Sequence, residues 1–133
     1  MRAVLDTNVV ISGIFFGGVP RDVLKAWAEG RFEICLSPSI FDEYMRTCDR
    51  LGESHPDLEY LEVLATLIGN GTLVPDSDPV PPITADPDDD KFMACAHRCG
   101  AVVVSGDRHL IDADGWEGVE VLGPRDFLNR LSA

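Results

Sequence analysis

The chain has 133 residues, 45% of them hydrophobic and 26% charged, and its 23 acidic against 11 basic side chains give a formal net charge of −12. That length suits one domain over residues 1–133, and the composition excludes disordered and collagen-like chains. No apolar run approaches the roughly 20 residues a membrane-spanning helix requires. The start Met1-Arg2-Ala3-Val4-Leu5-Asp6 holds no secretory apolar region, so the expected compartment is the cytoplasm, with its thiols reduced.

Ala3 to Leu5 is the first short apolar run of strand type, closed by Asp6 and a Thr7-Asn8-Val9 turn. Pro20 then opens a helix with Val23, Leu24, Trp27 and Ala28 on one face and Gly30 just past its end. Phe32 to Leu36 reads as the second strand. Ser37 is an N-cap with Pro38 at the first helical position, and Ile40, Phe41, Tyr44, Met45 and Cys48 form an inward stripe that runs to Gly52. Leu58, Leu61, Leu64, Ala65 and Ile68 stripe the next helix, which stops near Gly69-Asn70-Gly71 before a strand at Thr72 to Val74. Pro75 to Pro87, rich in proline and aspartate, is a loop. A further helix begins in the acidic Asp86 to Asp90 segment, buries Phe92, Cys95, Ala96 and Cys99, and stops at Gly100. Strands at Ala101 to Val104 and Val119 to Leu122 follow, and Pro124 opens the last helix.

Several of these strands are apolar at successive positions, as a strand covered on both faces must be. The alternation of strands and helices predicts an α/β fold, a three-layer α/β/α sandwich with a five-stranded, mainly parallel sheet. Ligands of such sheets bind beyond the carboxyl ends of the strands, where the strand order reverses. The four cysteines, Cys35, Cys48, Cys95 and Cys99, read as small core hydrophobes. A zinc site from Cys95, His97 and Cys99 fails because His97 leaves the helical face that the two cysteines share.

Four acids stand where that topology places chemistry. Asp6 follows the first strand and Asp107 the fourth, while Glu43 lies in the early turns of the Pro38 helix and Asp90 at the start of the helix leading into the fourth strand. Crowded carboxylates repel one another, and a hard divalent cation relieves the conflict. With oxygen ligands and no histidine or cysteine nearby, Mg2+ or Mn2+ is the expected ion. His55, His97 and His109 read as surface or capping residues.

The ordered set Asp6-Thr7-Asn8-Val9-Val10-Ile11-Ser12, Ser37-Pro38 with Glu43, Asp89-Asp90-Lys91-Phe92-Met93-Ala94 with Ala96, and Val103-Val104-Ser105-Gly106-Asp107-Arg108 with Leu110 resembles the PIN-domain family, in particular its bacterial and archaeal branch akin to VapC-type toxins. The resemblance covers nearly the whole chain. It implies an acidic quartet at Asp6, Glu43, Asp90 and Asp107, with Asn8 and Ser105 supporting the site through hydrogen bonds. Ser105 stands where the family commonly has threonine, and the acidic run leaves Asp89 as the alternative to Asp90. The activity implied is Mg2+- or Mn2+-dependent cleavage of RNA phosphodiesters, with a cognate antitoxin and a homodimer as implied partners.

The acidic balance runs against the basic patches usual in nucleic-acid binders. Affinity for RNA would then rest on local arginines: Arg46 and Arg50, which share a helical face with Glu43, and Arg108 beside Asp107. A phosphoryl-accepting receiver domain would need a lysine where Gly123-Pro124-Arg125 stands, and no GxGxxG dinucleotide fingerprint follows the first strand. A non-catalytic nucleic-acid-binding module is the rival reading.

Overall fold

The computed structural model describes residues 1–56, 59–76 and 82–132. Five strands, β1 (Arg2–Leu5), β2 (Glu33–Leu36), β3 (Thr72–Leu73), β4 (Val102–Val104) and β5 (Val121–Leu122), form one sheet in the order β3-β2-β1-β4-β5. Every pairing is parallel, with Ala3 opposite Ile34 on one side of β1 and opposite Val102 on the other. Seven helices join them: α1 (Thr7–Phe15), α2 (Gly18–Ala28), α3 (Pro38–Gly52), α4 (Tyr60–Asn70), α5 (Asp90–Cys99), α6 (Arg108–Asp112) and α7 (Pro124–Leu131).

The chain moves outward from β1 through β2 to β3, then returns across the sheet to β4 and β5. Right-handed crossovers in opposite directions put helices on opposite faces, which makes the expected three-layer sandwich. Both faces of the central strands are therefore covered, and Ala3, Val4, Leu5, Ile34, Cys35, Leu36, Val103 and Val104 are all fully buried. Helix α1 packs on α2 and α3, and α7 packs on α2. Phe32 and Phe127 meet edge to face at 4.8 Å where α7 docks. The α1–α2 crossing is close enough that a Cβ at Gly13 would lie 2.9 Å from the Pro20 carbonyl oxygen.

The helix signals hold best where a cap is written into the chain. Ser37 Oγ accepts from the Ile40 N–H with Pro38 behind it, and Gly100 ends α5 in the left-handed region at φ 67°.

Three expectations are corrected, and a fourth falls partly outside the described residues. The segment after Asp6 is a nine-residue helix, not a turn. Leu58 and residues 77–81 of the expected loop lie outside the described residues. In α4 the buried pair is Leu64 and Leu67, whereas Leu61 and Ile68 are 56% and 45% exposed. Cys35 and Cys99 are joined by a disulfide with Cα atoms 6.8 Å apart, because β2 and the end of α5 abut in the core, and only Cys48 and Cys95 remain as buried thiols.

No helix among the described residues is long and apolar enough to cross a membrane.

Candidate active site

Because β1 and β4 are neighbours whose chain connections leave in opposite directions, the sheet reverses its order between them. Asp6 leaves β1 at this point, and its main-chain N–H donates to the Val104 carbonyl at 3.0 Å. Ser105 continues β4, with its N–H on the Leu122 carbonyl at 2.9 Å. The buried Ser105 hydroxyl donates to Asp6 Oδ2 at 2.7 Å and accepts from the Asp107 N–H at 2.9 Å. One hydroxyl thus fixes both aspartates beyond the strand ends. Asp6 is also the residue that precedes α1, and its side chain makes no capping bond to the start of that helix.

Glu43 arrives from α3. Its neighbour Tyr44 is fully buried, and the Tyr44 hydroxyl donates to the Leu5 carbonyl just before Asp6. This bond sets α3 against the end of β1 and turns Glu43 toward it. Thr7 Oγ1 donates to Glu43 Oε2, and Lys91 Nζ donates to Glu43 Oε1 at 2.6 Å.

Asp6, Glu43, Asp88, Asp89 and Asp107 line one cavity of about 370 Å³, together with Asn8, Arg46, Arg50 and Lys91. Asp90 is turned away from it. The Asp90 carboxylate accepts from the Thr84 N–H and hydroxyl, both at 2.8 Å, and from the Ile83 N–H at 3.3 Å, so it anchors the strand-free segment ahead of α5. Asp89, one residue earlier at the end of a 3₁₀ turn over Pro87–Asp89, is the acid from this run that faces Asp107. Arg108 is also elsewhere: its side chain is 85% exposed and lies 3.8 Å from Asp112.

The acids crowd one another. Burial pushes the Asp6 carboxyl up, the negative charges of Asp107 and Glu43 add to the rise, and the Ser105 bond opposes it. Asp89 is pushed up to about 7 by burial, by a carboxyl hydrogen bond to Asp107 and by the charges of Asp107, Asp6 and Asp86. Such a set fits a hard divalent cation, whose charge would offset the crowding.

His109 is exposed, as read from the sequence, and it stands beside an acid. Its Nδ1 lies 3.6 Å from Asp89 Oδ2, and ligand atoms of Asp86, Asp89 and His109 all fall within 4.8 Å of one another. His109 and Asp86 do not line the acidic cavity, whose acidic donors are all carboxylates. Thr7, Lys91 and His109 escape a reading of the sequence because their roles depend on where α1, α5 and α6 begin. The one available signal was their adjacency to Asp6, Asp90 and Arg108.

Residues 2–109 match the model of the PIN domain family. The chain belongs to that family. It is 27% identical over 118 residues to the uncharacterized protein MJ1680 of Methanocaldococcus jannaschii, an alignment covering 84% of this chain and 74% of the relative. Among solved structures, the PilT N-terminus domain protein SSO1118 of Sulfolobus solfataricus superposes with a TM-score of 0.64 at 12% identity, covering 98% of this chain and 93% of that one. VapBC2 of Rickettsia felis, solved bound to a DNA fragment from its promoter, gives 0.63 at 11% identity, covering 92% of this chain and 98% of that one. PAE2754 of Pyrobaculum aerophilum gives 0.62 at 15% identity, covering 99% of this chain and 90% of that one. These likenesses show the fold.

Proposed function

We propose that the chain is a Mg2+- or Mn2+-dependent endoribonuclease that hydrolyses RNA phosphodiester bonds in the cytoplasm, as the toxin of a toxin–antitoxin pair. The observation that carries this reading is the convergence of Asp6, Glu43, Asp89 and Asp107 on one cavity at the point where the sheet reverses. Membership of the PIN family supports the nuclease chemistry, and the likeness to VapBC2 of Rickettsia felis supports an antitoxin partner. The homodimer is carried from the resemblance seen in the sequence.

A divalent cation held by these carboxylates would activate a water for in-line attack and offset charge on the phosphate and the leaving 3′ oxygen. Asp6 and Asp107, fixed by Ser105, are the best placed to hold it, with Glu43 and Asp89 completing the set. In this assignment Asp89 replaces Asp90 as the third acid, and Asp90 holds the segment that positions it. The crowding that raises the Asp89 carboxyl would be relieved by a divalent ion in the site. Arg46 and Arg50, on the α3 face beside Glu43, would meet the RNA phosphates. Cleavage this way leaves 5′-phosphate and 3′-hydroxyl ends.

A labelled RNA incubated with the protein, with and without EDTA and beside Asp6→Asn, tests the reading. Cutting that EDTA and the substitution both abolish supports it. RNA bound but never cut would instead establish a non-catalytic module.

A further inference from the structure

The acidic cavity already contains a cation of the chain's own. Lys91, in the first turn of α5, places Nζ 2.6 Å from Glu43 Oε1 and 2.7 Å from the Asp88 carbonyl oxygen. The two side chains of the ion pair are only 21% and 25% exposed. Among the described residues, no other lysine or arginine forms an ion pair with a carboxylate of this cavity. The second oxygen of Glu43 is occupied by the Thr7 hydroxyl. Both Glu43 oxygens are therefore committed, one of them to an ammonium group whose charge repels any divalent ion approaching the same carboxylate.

We infer that Lys91 is a built-in counter-cation, which holds Glu43 in the metal-free protein and releases it when a divalent ion enters. This rests on the reading of the cavity as a divalent-cation site. Loading the site is then an exchange of one cation for another. The ammonium keeps the crowded acids together while no ion is bound, and the same contact lowers the apparent affinity for the ion. The Asp88 carbonyl and the Phe92 ring, whose centroid is 5.3 Å from Nζ, hold the released ammonium near the cavity rim.

The chain has only two lysines, Lys25 and Lys91, and Lys25 is exposed on α2. Acylation of the intact wild-type protein by an amine-reactive ester, read by mass spectrometry, therefore compares Lys91 with an internal standard. Saturating Mg2+ is expected to raise Lys91 labelling several-fold relative to Lys25. Unchanged labelling of Lys91 would overturn the exchange. Calorimetric titration with Mn2+ gives a second measure: Lys91→Met should bind about tenfold tighter than wild type, with Lys91→Arg close to wild type. Equal or weaker binding by Lys91→Met overturns the inference while leaving the metal site standing. Absence of Mn2+ binding in all three proteins overturns both.

Discussion

Ser105 Oγ lies 2.7 Å from Asp6 Oδ2, a bond between residues 99 positions apart that joins the ends of two adjacent parallel strands. It is fully buried and also receives the Asp107 N–H. Ser105→Ala leaves a buried carboxylate oxygen and a main-chain N–H without their partner. The expected cost is about 1–3 kcal/mol in urea unfolding at pH 7. Ser105→Thr keeps the hydroxyl and should lose far less.

Tyr44→Phe tests the support beneath Glu43. The hydroxyl is buried and donates to the Leu5 carbonyl, so its removal should lower stability by about 1–2 kcal/mol with little change in the volume packed. Metal affinity should fall with it, because Glu43 is positioned through the same turn of α3. Unfolding curves paired with Mn2+ titration give both quantities.

Asp89 makes stability depend on pH in a defined direction. Its carboxyl ordinarily titrates at 3.8 and is pushed up to about 7 in the fold. Between those values the folded protein binds more protons than the unfolded chain, so stability falls as pH rises through this window and levels off above it. Asp89→Asn abolishes that fall. In EDTA, the variant should melt a few degrees higher than wild type at pH 8, and the difference should shrink toward pH 4. A constant difference across the range would show that Asp89 does not titrate in this window.

The sequence was most legible where a residue's role is decided within a few positions of itself. Ser37-Pro38 sets the start of α3 and Gly100 the end of α5 through local backbone chemistry, and the structure places both there. Asp6 and Asp107 were findable because one directly follows β1 and the other comes three residues after β4. Val9, Val10 and Ile11 are β-branched or strand-favouring residues, which hid α1; its burial against α2 and α3 outweighs that local preference. The α4 stripe failed for a different reason, since leucines at 61, 64 and 67 fit two overlapping faces and only packing chooses between them. Asp89 ends the 3₁₀ turn and Asp90 begins α5, so the two side chains leave in different directions, and the choice is made by Thr84, which takes Asp90 from six residues away.

The disulfide offers a separate test. Cys35 and Cys99 are separated by 64 positions, and closing a loop of that length restricts the unfolded chain by up to about 4 kcal/mol. A reductant should therefore lower the urea midpoint substantially. Thiol counting in denaturant should give the two buried thiols, Cys48 and Cys95, before reduction, and all four of the chain's cysteines after it. Four reactive thiols without reductant would show that β2 and α5 are joined by packing alone.

That same covalent link divides the acids topologically. The segment from Cys35 to Cys99 closes into a ring carrying Glu43, Asp89 and Lys91, while Asp6 and Asp107 sit on the two tails outside it. A single backbone nick inside the ring would leave one covalent molecule with all four carboxylates still tethered, and its pieces would separate only after reduction. Integrity of the peptide chain and integrity of the site are thereby uncoupled.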